Sequence, residues 1–328
     1  MNYNPIKILV TGIGGDIGMS AIRCLKEINY HSLLIGCDIN EYPAAKYHVD
    51  YFFVAPKAYE KDKYLNFVLD ICLKYKINFL IPSSEQEIKV INEAKGLFNN
   101  HNINILINNS NIINTFMDKY KTIEFFRKNN FIYPKTYMLT KYNGEFGFPF
   151  ILKLKETSGS KGIFIVSDEI DLQYFKKKYK DAIVQEVIGD PDNEYTIGVF
   201  SNGVKTYSIA FKRYLGFGSL SRYVKLVNDE KIEQLSDEIA EVTNLRGSIN
   251  VQVRKDKQGN YIPFEINPRL SSTVYFRHYF GFEDLKWWID MYQGKDFTFI
   301  PKYKEGIGVR SLGEVFFDLK KSDKTKGE

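Results

Sequence analysis

The sequence predicts an α/β N-terminal domain with a Rossmann-like parallel sheet, followed by an α+β fold of two subdomains. Short apolar strands alternate with amphipathic helices over residues 1–110, the pattern of a parallel sheet with crossover helices. The stretch from about 133 to 185 is rich in short strands, and residues 194–227 alternate like antiparallel strands. We therefore predict four segments: an α/β domain at 1–110, a small subdomain with linker helices at 111–190, a C-terminal subdomain at 191–318 and a disordered basic tail at 319–328.

The α/β domain is expected to begin with a βαβ unit. An apolar, β-rich run at 6–11 leads into a turn with four glycines at 12–18, and apolar residues then recur at helical spacing over 19–28. The later elements of this domain are expected to be strands at 33–37, 79–82 and 103–107 and helices at 64–75 and 85–98.

Beyond residue 110 the expected elements are mixed. Two helical pieces cover residues 111–129 and are joined near 117–119. The other expected elements are strands at 150–154, 163–166 and 183–185 and helices at 169–179, 231–244 and 283–293.

Composition excludes several classes of protein. The charge of +5, from 45 basic and 40 acidic residues, is too mild to indicate a nucleic-acid partner. The three cysteines are few, odd in number and not arranged as CxxC, which argues against a disulfide framework and favours a reducing cytoplasm. No apolar run approaches the roughly 18 residues of a membrane helix. We therefore predict a cytoplasmic protein without nucleic-acid or membrane partners.

The glycine turn leaves two interpretations open. Thr11-Gly12-x-x-Gly15-x-x-Gly18 resembles the dinucleotide-binding turn of short-chain dehydrogenases, and Asp38 could hold an adenosine ribose. The alternative is a tight β–α turn that binds something else or nothing. The catalytic YxxxK pair of that family is matched only at Tyr59 and Lys63, which is too early in the chain. An NAD-binding domain would therefore have the binding turn but no catalytic residues.

A hairpin at 249–267 predicts a cluster of oxygen ligands. If Gln258-Gly259 is a two-residue turn, the positions of paired residues sum to 517. Gln252 then lies opposite Glu265, and Asn250 lies opposite Asn267, so these four polar side chains share one face of the hairpin. The intervening residues are directed into the core: Val251, Val253, Phe264 and Ile266. One carboxylate with amide oxygens suits Mg²⁺, and Arg269 could hold a phosphoryl group beside it. The alternative is a solvated sheet face.

Basic residues close to the strand at 150–154 indicate an anionic ligand. Lys153 ends an apolar strand, and a buried lysine needs a partner. The small, basic loop at 155–162 could fold its backbone and Lys161 over phosphates, although it could equally be a mobile hairpin turn.

Taken in order, these pieces resemble the ATP-grasp superfamily. The series comprises the glycine-rich α/β domain, Asp118-Lys119 opening a helix, FPFILK at 148–153, the Gly/Ser/Lys loop, VQEVI at 184–188, NEYT at 193–196, NVQV at 250–253 and FEINPRLS at 264–271. It is most similar to the synthetase domains of the carbamoyl-phosphate synthase large subunit and the stand-alone ligases like them. The resemblance covers roughly residues 6–300. It departs from the family where leucine replaces the usual proline after Lys153.

The resemblance implies a role for each matching position. It predicts an α/β pre-ATP-grasp domain followed by an ATP-grasp fold of two subdomains, with ATP and two Mg²⁺ ions. The implied metal ligands are Gln252, Glu265 and Asn267, and the implied catalytic residues are Arg269, Lys153 and Lys161. The implied ATP contacts are Lys119 and Lys153 on the phosphates, Ser160, Lys161 and Gly162 in a lid, Gln185, Glu186, Val187 and Ile188 at the adenine, and Glu194 at the ribose.

The implied activity is an ATP-dependent ligation of a small-molecule carboxylate with an amine or a thiol through an acyl phosphate. The candidate substrate residues are Gly14, Gly15, Ser84, Glu85, Arg213, Arg222, Lys225 and Ser271. Arg222 and Lys225 could equally form a solvated strand face. An ATP-grasp kinase and an NAD-binding or non-catalytic module remain as alternatives, and a homodimer is left open.

Overall fold

The computed structural model describes residues 6–156, 162–216, 220–311 and 313–317. Its strands form three sheets, one parallel and two antiparallel. The predicted fold class, an α/β domain followed by an α+β part, is confirmed. The predictions for Ser160, Lys161 and the tail at 319–328 lie outside the described residues, and the segment bounds stay predictions. Within the described residues, no helix combines the length and apolar character needed to cross a membrane.

The first sheet is parallel, with strand order β3-β2-β1-β4-β5. Its strands are β1 Ile6–Thr11, β2 His31–Asp38, β3 Tyr51–Val54, β4 Phe79–Pro82 and β5 Asn104–Ile105. Its helices are α1 Asp16–Ile28, α2 Lys61–Tyr75, α3 Glu85–Glu93 and α4 Lys95–Asn99, with a 3-10 helix at Ala44–His48.

Two elements of this domain differ from the sequence prediction. The single helix expected at 85–98 is broken at Ala94, whose φ of −115° lies outside the helical range. The short α4 that follows packs Phe98, which is 0% exposed, into the core beside α3. Strand β3 was not predicted, because its four residues, Tyr-Phe-Phe-Val, show no alternation of apolar and polar side chains.

The small sheet is antiparallel, with order β6-β9-β7-β8. Its elements are β6 Thr136–Met138, β7 Phe150–Leu154, β8 Ile163–Val166, α7 Glu169–Lys178 and β9 Ala182–Glu186, with a 3-10 helix at Leu139–Lys141. Phe150, Leu152 and Val184 pack against Leu172 and Phe175 of α7. One face of the sheet is thereby covered by α7, and Lys153 and Gln185 lie on the opposite face.

The large sheet is antiparallel, with order β14-β13-β10-β11-β12-β15. Its strands are β10 Glu194–Asn202, β11 Thr206–Leu215, β12 Ser221–Val227, β13 Arg246–Lys255, β14 Tyr261–Asn267 and β15 Ile307–Val309. The remaining helices are α5 Ser110–Phe116, α6 Lys119–Lys128, α8 Glu230–Thr243, α9 Val274–Tyr279 and α10 Asp284–Tyr292, with a 3-10 helix at Pro191–Asn193. Helices α5 and α6 share a hydrophobic core with β10 and β13 of this sheet.

The predicted pairing of the β13–β14 hairpin is confirmed: Gln252 lies opposite Glu265 and Asn250 opposite Asn267. The predicted two-residue turn is wrong. Asp256 N–H donates to the carbonyl of Asn260, so residues 257–259 form a three-residue turn, with Gly259 in the left-handed region at φ +84°.

A β-bulge reconciles this longer turn with the predicted pairing. The register shifts between Gln252 and Val253, which leaves Phe264 as the extra residue of β14. Phe264 is half-buried, and its ring lies 5.0 Å from Lys153 Nζ. The prediction that Phe264 faces the core with Val251 and Ile266 is therefore wrong, since the bulge turns it toward Lys153.

Candidate functional site

A cleft of about 670 Å³ lies where the loops that follow β1 and β4 face β10, β13 and β14. The parallel sheet contributes the glycine turn and residues 83–87, and the large sheet contributes Thr196, Asn250, Gln252 and Glu265. Ligands of open α/β sheets bind outside the carboxyl ends of the strands. The cleft therefore joins such a position to the polar face of the hairpin.

Lys153 is buried with uncharged partners. It is 5% exposed, and its Nζ donates to Gln185 Oε1 at 2.7 Å. Gln185 is fixed in turn, since its Nε2 donates to Thr136 Oγ1 at 2.9 Å. Burial lowers the pKa of Lys153 to about 8, against the opposing effect of Glu265. A lysine held in this way favours an anion beside it.

Glu194 lies between two arginines. Its Oε1 accepts from Arg213 Nε at 2.9 Å and from Arg213 Nη2 at 2.5 Å, and its Oε2 accepts from Arg254 Nε at 3.1 Å and from Arg254 Nη2 at 2.9 Å. Burial alone would raise the pKa of Glu194, but the two guanidinium groups hold it below its ordinary value. Arg213 Nη2 also donates to Gln252 Oε1 at 3.0 Å, which joins this group to the hairpin.

Two of the three predicted metal ligands are hydrogen-bonded to each other, and the third, Gln252, lies opposite Glu265 in the hairpin. Asn267 Nδ2 donates to Glu265 Oε1 at 3.1 Å, and Asn267 Oδ1 accepts from Arg269 Nη2 at 3.1 Å. Among the residues that the structure describes, no three His, Cys, Asp or Glu side chains converge on one point. A metal ion here would rely on one carboxylate, two amide oxygens, water and phosphate, and that donor set fits Mg²⁺.

Arg269 connects the hairpin to the parallel sheet. Its Nε and Nη2 both donate to Glu85 Oε1, at 3.1 and 2.6 Å, and its Nη1 donates to the carbonyl of Leu270 at 3.1 Å. Glu85 is the first residue of α3, directly after the carboxyl end of β4. This ion pair therefore spans the cleft from one domain to the other.

The glycine turn is held by Asp38. Its Oδ2 accepts from Gly14 N–H at 2.7 Å and its Oδ1 accepts from Asn40 N–H at 2.9 Å. Both oxygens that a ribose would need in the NAD-binding interpretation thus bind the backbone. A Cβ atom at Gly14 would lie 2.8 Å from Asp38 Oδ2, so a side chain at this position would displace the carboxylate that holds the turn.

Comparisons with known proteins match this architecture. Residues 178–315 match the family described as ATP-grasp in the biosynthetic pathway with Ter operon, and residues 8–106 match the PylC-like N-terminal domain. The chain has an ATP-grasp fold. No curated protein sequence matches it.

Solved structures share this ATP-grasp fold at low sequence identity. The biotin carboxylase domain of Hydrogenobacter thermophilus 2-oxoglutarate carboxylase, in complex with MgADP, ADP and bicarbonate, has 17% identity and a TM-score of 0.74, over 94% of this chain and 75% of that one. The N5-carboxyaminoimidazole ribonucleotide synthetase of Thermus thermophilus has 12% identity and a TM-score of 0.74, over 94% and 84%. Campylobacter jejuni biotin carboxylase has 16% identity and a TM-score of 0.70, over 89% and 72%. The nearer likeness to carbamoyl-phosphate synthase stays a prediction.

Most of the predicted site residues of this ATP-grasp chain lie together. The cleft is lined by Gly14, Gly15, Ser84, Glu85, Lys119, Arg213, Gln252, Glu265, Asn267, Arg269 and Ser271. Glu194 lies directly behind that lining, where it accepts from Arg213. Lys153 is not part of the lining either, but the lining residue Glu265 is near enough to raise its pKa. Gly162 precedes β8 with a φ of +71°. These placements are compatible with the predicted roles, which stay predictions.

Other predicted residues of the ATP-grasp site lie elsewhere among the described residues. Arg222 and Lys225 are exposed on β12, outside the lining of the cleft, as the solvated-face alternative expects. The hinge segment Gln185, Glu186, Val187 and Ile188 is also outside that lining. The Glu186 carboxylate accepts from Lys135 N–H at 2.7 Å, so this side chain faces β6.

Sequence reasoning missed Glu87 and Tyr64, which line the α/β end of the cleft. Glu87 is buried, accepts from Tyr64 OH at 3.1 Å, and completes a capping box with Ser84 at the start of α3. Burial raises the pKa of Glu87. The Ser-x-x-Glu spacing at 84–87 was the signal that could have identified it.

Proposed function

We propose that the chain is an ATP-dependent ligase that joins a small-molecule carboxylate to an amine or a thiol through an acyl phosphate. The observation that carries this proposal is the composition of the cleft. Lys119, Arg269 and the Gln252, Glu265, Asn267 group line the same 670 Å³ space as the loops after β1 and β4. A nucleotide phosphate tail and a second small molecule would have adjoining positions in one cavity.

The nucleotide is proposed to lie against the two antiparallel sheets. Lys119, Lys153 and Arg269 would contact its phosphates, with Ser160, Lys161 and Gly162 as a lid. Residues 185–188 would contact the adenine, and Glu194 would bind the ribose. The buried position and lowered pKa of Lys153 support this, since an anion would replace solvent as the group that stabilises its charge. Two Mg²⁺ ions held by Gln252, Glu265 and Asn267 would neutralise phosphate charge when bound.

The proposed reaction has two steps, phosphoryl transfer to the carboxylate and attack by the amine. An oxygen of the substrate carboxylate attacks the γ-phosphorus, the bond from that atom to the bridging oxygen breaks, and ADP leaves. The amine nitrogen next attacks the acyl carbon, phosphate departs with one carboxylate oxygen, and the amine releases a proton to solvent. Arg269, Lys153 and Lys161 would supply positioning and charge stabilisation, which is most of what phosphoryl transfer requires.

The substrate carboxylate accepts the γ-phosphoryl group and is called the acceptor below. We propose that it binds at the α/β end of the cleft, at Gly14, Gly15, Ser84 and Ser271, and that Arg213 lies on the side of the nucleotide. The bound MgADP and bicarbonate of the similar biotin carboxylase domain support a nucleotide and a small anion in this fold. Bicarbonate is therefore one of the anions to test. The homodimer stays a prediction, which sedimentation of the purified chain would check.

A screen of ADP release tests the proposal. Carboxylates, bicarbonate included, are crossed with amines and thiols in the presence of MgATP, and the Lys153→Met variant is the negative control. ADP release that needs both substrates supports the ligase. ADP release with one substrate and a stable phosphorylated product would indicate the kinase instead. NAD binding without ADP release would contradict both.

A further inference from the structure

Arg269 has almost all of its donors occupied by protein. A guanidinium has five N–H donors. Nε donates to Glu85, Nη2 donates to Glu85 and to Asn267, and Nη1 donates to the carbonyl of Leu270. Four of the five donors are thus engaged. A phosphate that binds Arg269 through two donors must displace one of these partners, because bidentate binding needs a pair of free N–H groups.

Glu85 is the partner that can leave without disturbing the hairpin. Asn267 and Leu270 are neighbours of Arg269 in the chain, whereas Glu85 is 184 residues away, on the α/β side of the cleft. The side chain of Glu85 is 20% exposed and that of Arg269 is 14% exposed, and both line the cleft, so they remain within reach of a ligand. The contact of 2.6 Å is charge-assisted and therefore among the stronger ones that Arg269 makes.

The start of α3 fixes the position of Glu85. Ser84 Oγ accepts from Glu87 N–H, and the Glu87 carboxylate accepts from Ser84 N–H. This capping box orients the first helical turn, and Glu87 is itself held by Tyr64. The segment from Ser83 to Glu87 lines the α/β end of the cleft, where the acceptor is proposed to bind. An acceptor at this end would therefore contact the segment that carries Glu85.

We propose that Glu85 is a positioning residue that holds Arg269 across the cleft in the absence of acceptor, and that the acceptor opens this contact and releases Arg269 to the γ-phosphate. This inference rests on the proposed function. It makes ATP turnover conditional on the acceptor, and it assigns to Glu85 a role exerted through Arg269.

The test measures ADP release from MgATP alone, without any acceptor. In Glu85→Gln the charge-assisted contact is lost, so the acceptor-independent kcat is expected to rise at least about fivefold, the lower end of typical coupling between sites. The rise is expected to disappear in the Glu85→Gln/Arg269→Lys double variant, since lysine lacks the planar fork of donors. Glu93→Gln, which removes an exposed ion pair with Lys61 on the same helix, is the matched control and should leave the rate unchanged.

Each outcome decides the proposal. A rate in Glu85→Gln that is unchanged or lower would overturn it, as would a rise that survives in the double variant. A merely structural role for Glu85 would lower both the kcat and the melting temperature. If Glu85→Gln lowers the melting temperature, Glu85→Asp replaces it in the test. Aspartate keeps a negative charge at the helix N-terminus but is too short to keep the contact with Arg269. The proposal then requires Glu85→Asp to raise the acceptor-independent kcat. A chain that binds no ATP would overturn the proposed function as well, whereas normal ATP binding without the rise would overturn this inference alone.

Discussion

Gln252 and Glu265 are direct neighbours across β13 and β14, and both line the cleft. The three-residue turn at 257–259 would by itself place Gln252 opposite residue 264, because paired positions nearer the turn sum to 516. The bulge at Phe264 adds one residue to β14 and restores the pairing. The hairpin therefore presents a carboxylate and an amide side by side, and the proposed metal site depends on that pair.

Glu265→Gln is expected to lower MgATP turnover by about 100-fold or more, because the change removes the only carboxylate of the proposed ligand set while keeping its size. Raising the Mg²⁺ concentration should restore part of the rate. Steady-state ADP release at several Mg²⁺ concentrations checks this. Glu233→Gln, at an exposed position of α8, is the control. Equal rates in the wild type and Glu265→Gln would contradict the metal assignment.

ATP affinity is expected to fall as the pH rises above about 8, the pKa of Lys153, because a phosphate binds the protonated amine. The pKa of Lys153 in the folded protein without ATP is below its value of 10.5 in an unfolded chain. Between about pH 8 and 10.5, the Lys153 amine therefore binds fewer protons in the folded state than in the unfolded state. Its contribution to the free energy of unfolding therefore rises with pH across that window.

Calorimetric titration of ATP at pH 7, 8 and 9 measures this effect. Lys153→Met should weaken binding about 10- to 100-fold, the worth of a hydrogen bond to a charged group, and should flatten the pH dependence. Lys177→Met, at an exposed position of α7, should retain the wild-type profile. A pH dependence that persists in Lys153→Met would assign it to another group.

Glu194→Gln is expected to lower the free energy of unfolding by about 3 kcal/mol, because it leaves Arg213 and Arg254 buried without a carboxylate. The pKa of Glu194 is below its ordinary 4.5, so this stabilisation is present above about pH 4.5 and is lost as the pH falls through the lower, folded-state pKa. Urea unfolding at pH 7 and in acid measures the difference. Glu124→Gln, in an exposed pair with Arg127, should cost less than about 1 kcal/mol.

Gly189→Ala is expected to destabilise the segment between β9 and β10. Gly189 has a φ of +59°, and a Cβ atom there would lie 2.4 Å from the carbonyl oxygen of Lys255. Both effects oppose alanine, and together they should cost about 1–3 kcal/mol. Thermal melting with and without ATP measures the cost. Gly144→Ala, which also replaces a glycine with positive φ but meets no atom within 4 Å, separates the strain of the backbone from the clash.

The fold was largely predictable because its signals are local. The alternation of strands with crossover helices indicated the parallel sheet. The pairing of Gln252 with Glu265 was predicted from a two-residue turn that is wrong, and it is correct because of the bulge at Phe264. The turn length was not predictable, since Asp256–Asn260 is compatible with two- and three-residue turns. The bulge that decides the orientation of Phe264 depends on how β14 packs against β13.

The site was less predictable, because its contacts join distant segments. Nothing near Glu85 in the sequence indicates Arg269, and nothing near Arg213 indicates Glu194 or Gln252. The Glu85–Arg269 pair forms where the parallel sheet and the large sheet face each other across the cleft. Arg213, Glu194 and Gln252 instead meet on the neighbouring strands β11, β10 and β13 of the large sheet. Arg222 and Lys225 show the converse difficulty: strand periodicity alone did not distinguish a substrate-facing side chain from an exposed one.

The most direct test of the central claim follows oxygen from the substrate. Once the screen identifies a carboxylate, it is labelled with oxygen-18 at both carboxylate oxygens and supplied with MgATP and the amine. The account predicts that one labelled oxygen appears in each molecule of inorganic phosphate, because the acyl phosphate breaks at its carbon–oxygen bond. Phosphate without label, formed at the same rate as the amide, would contradict an acyl-phosphate ligase.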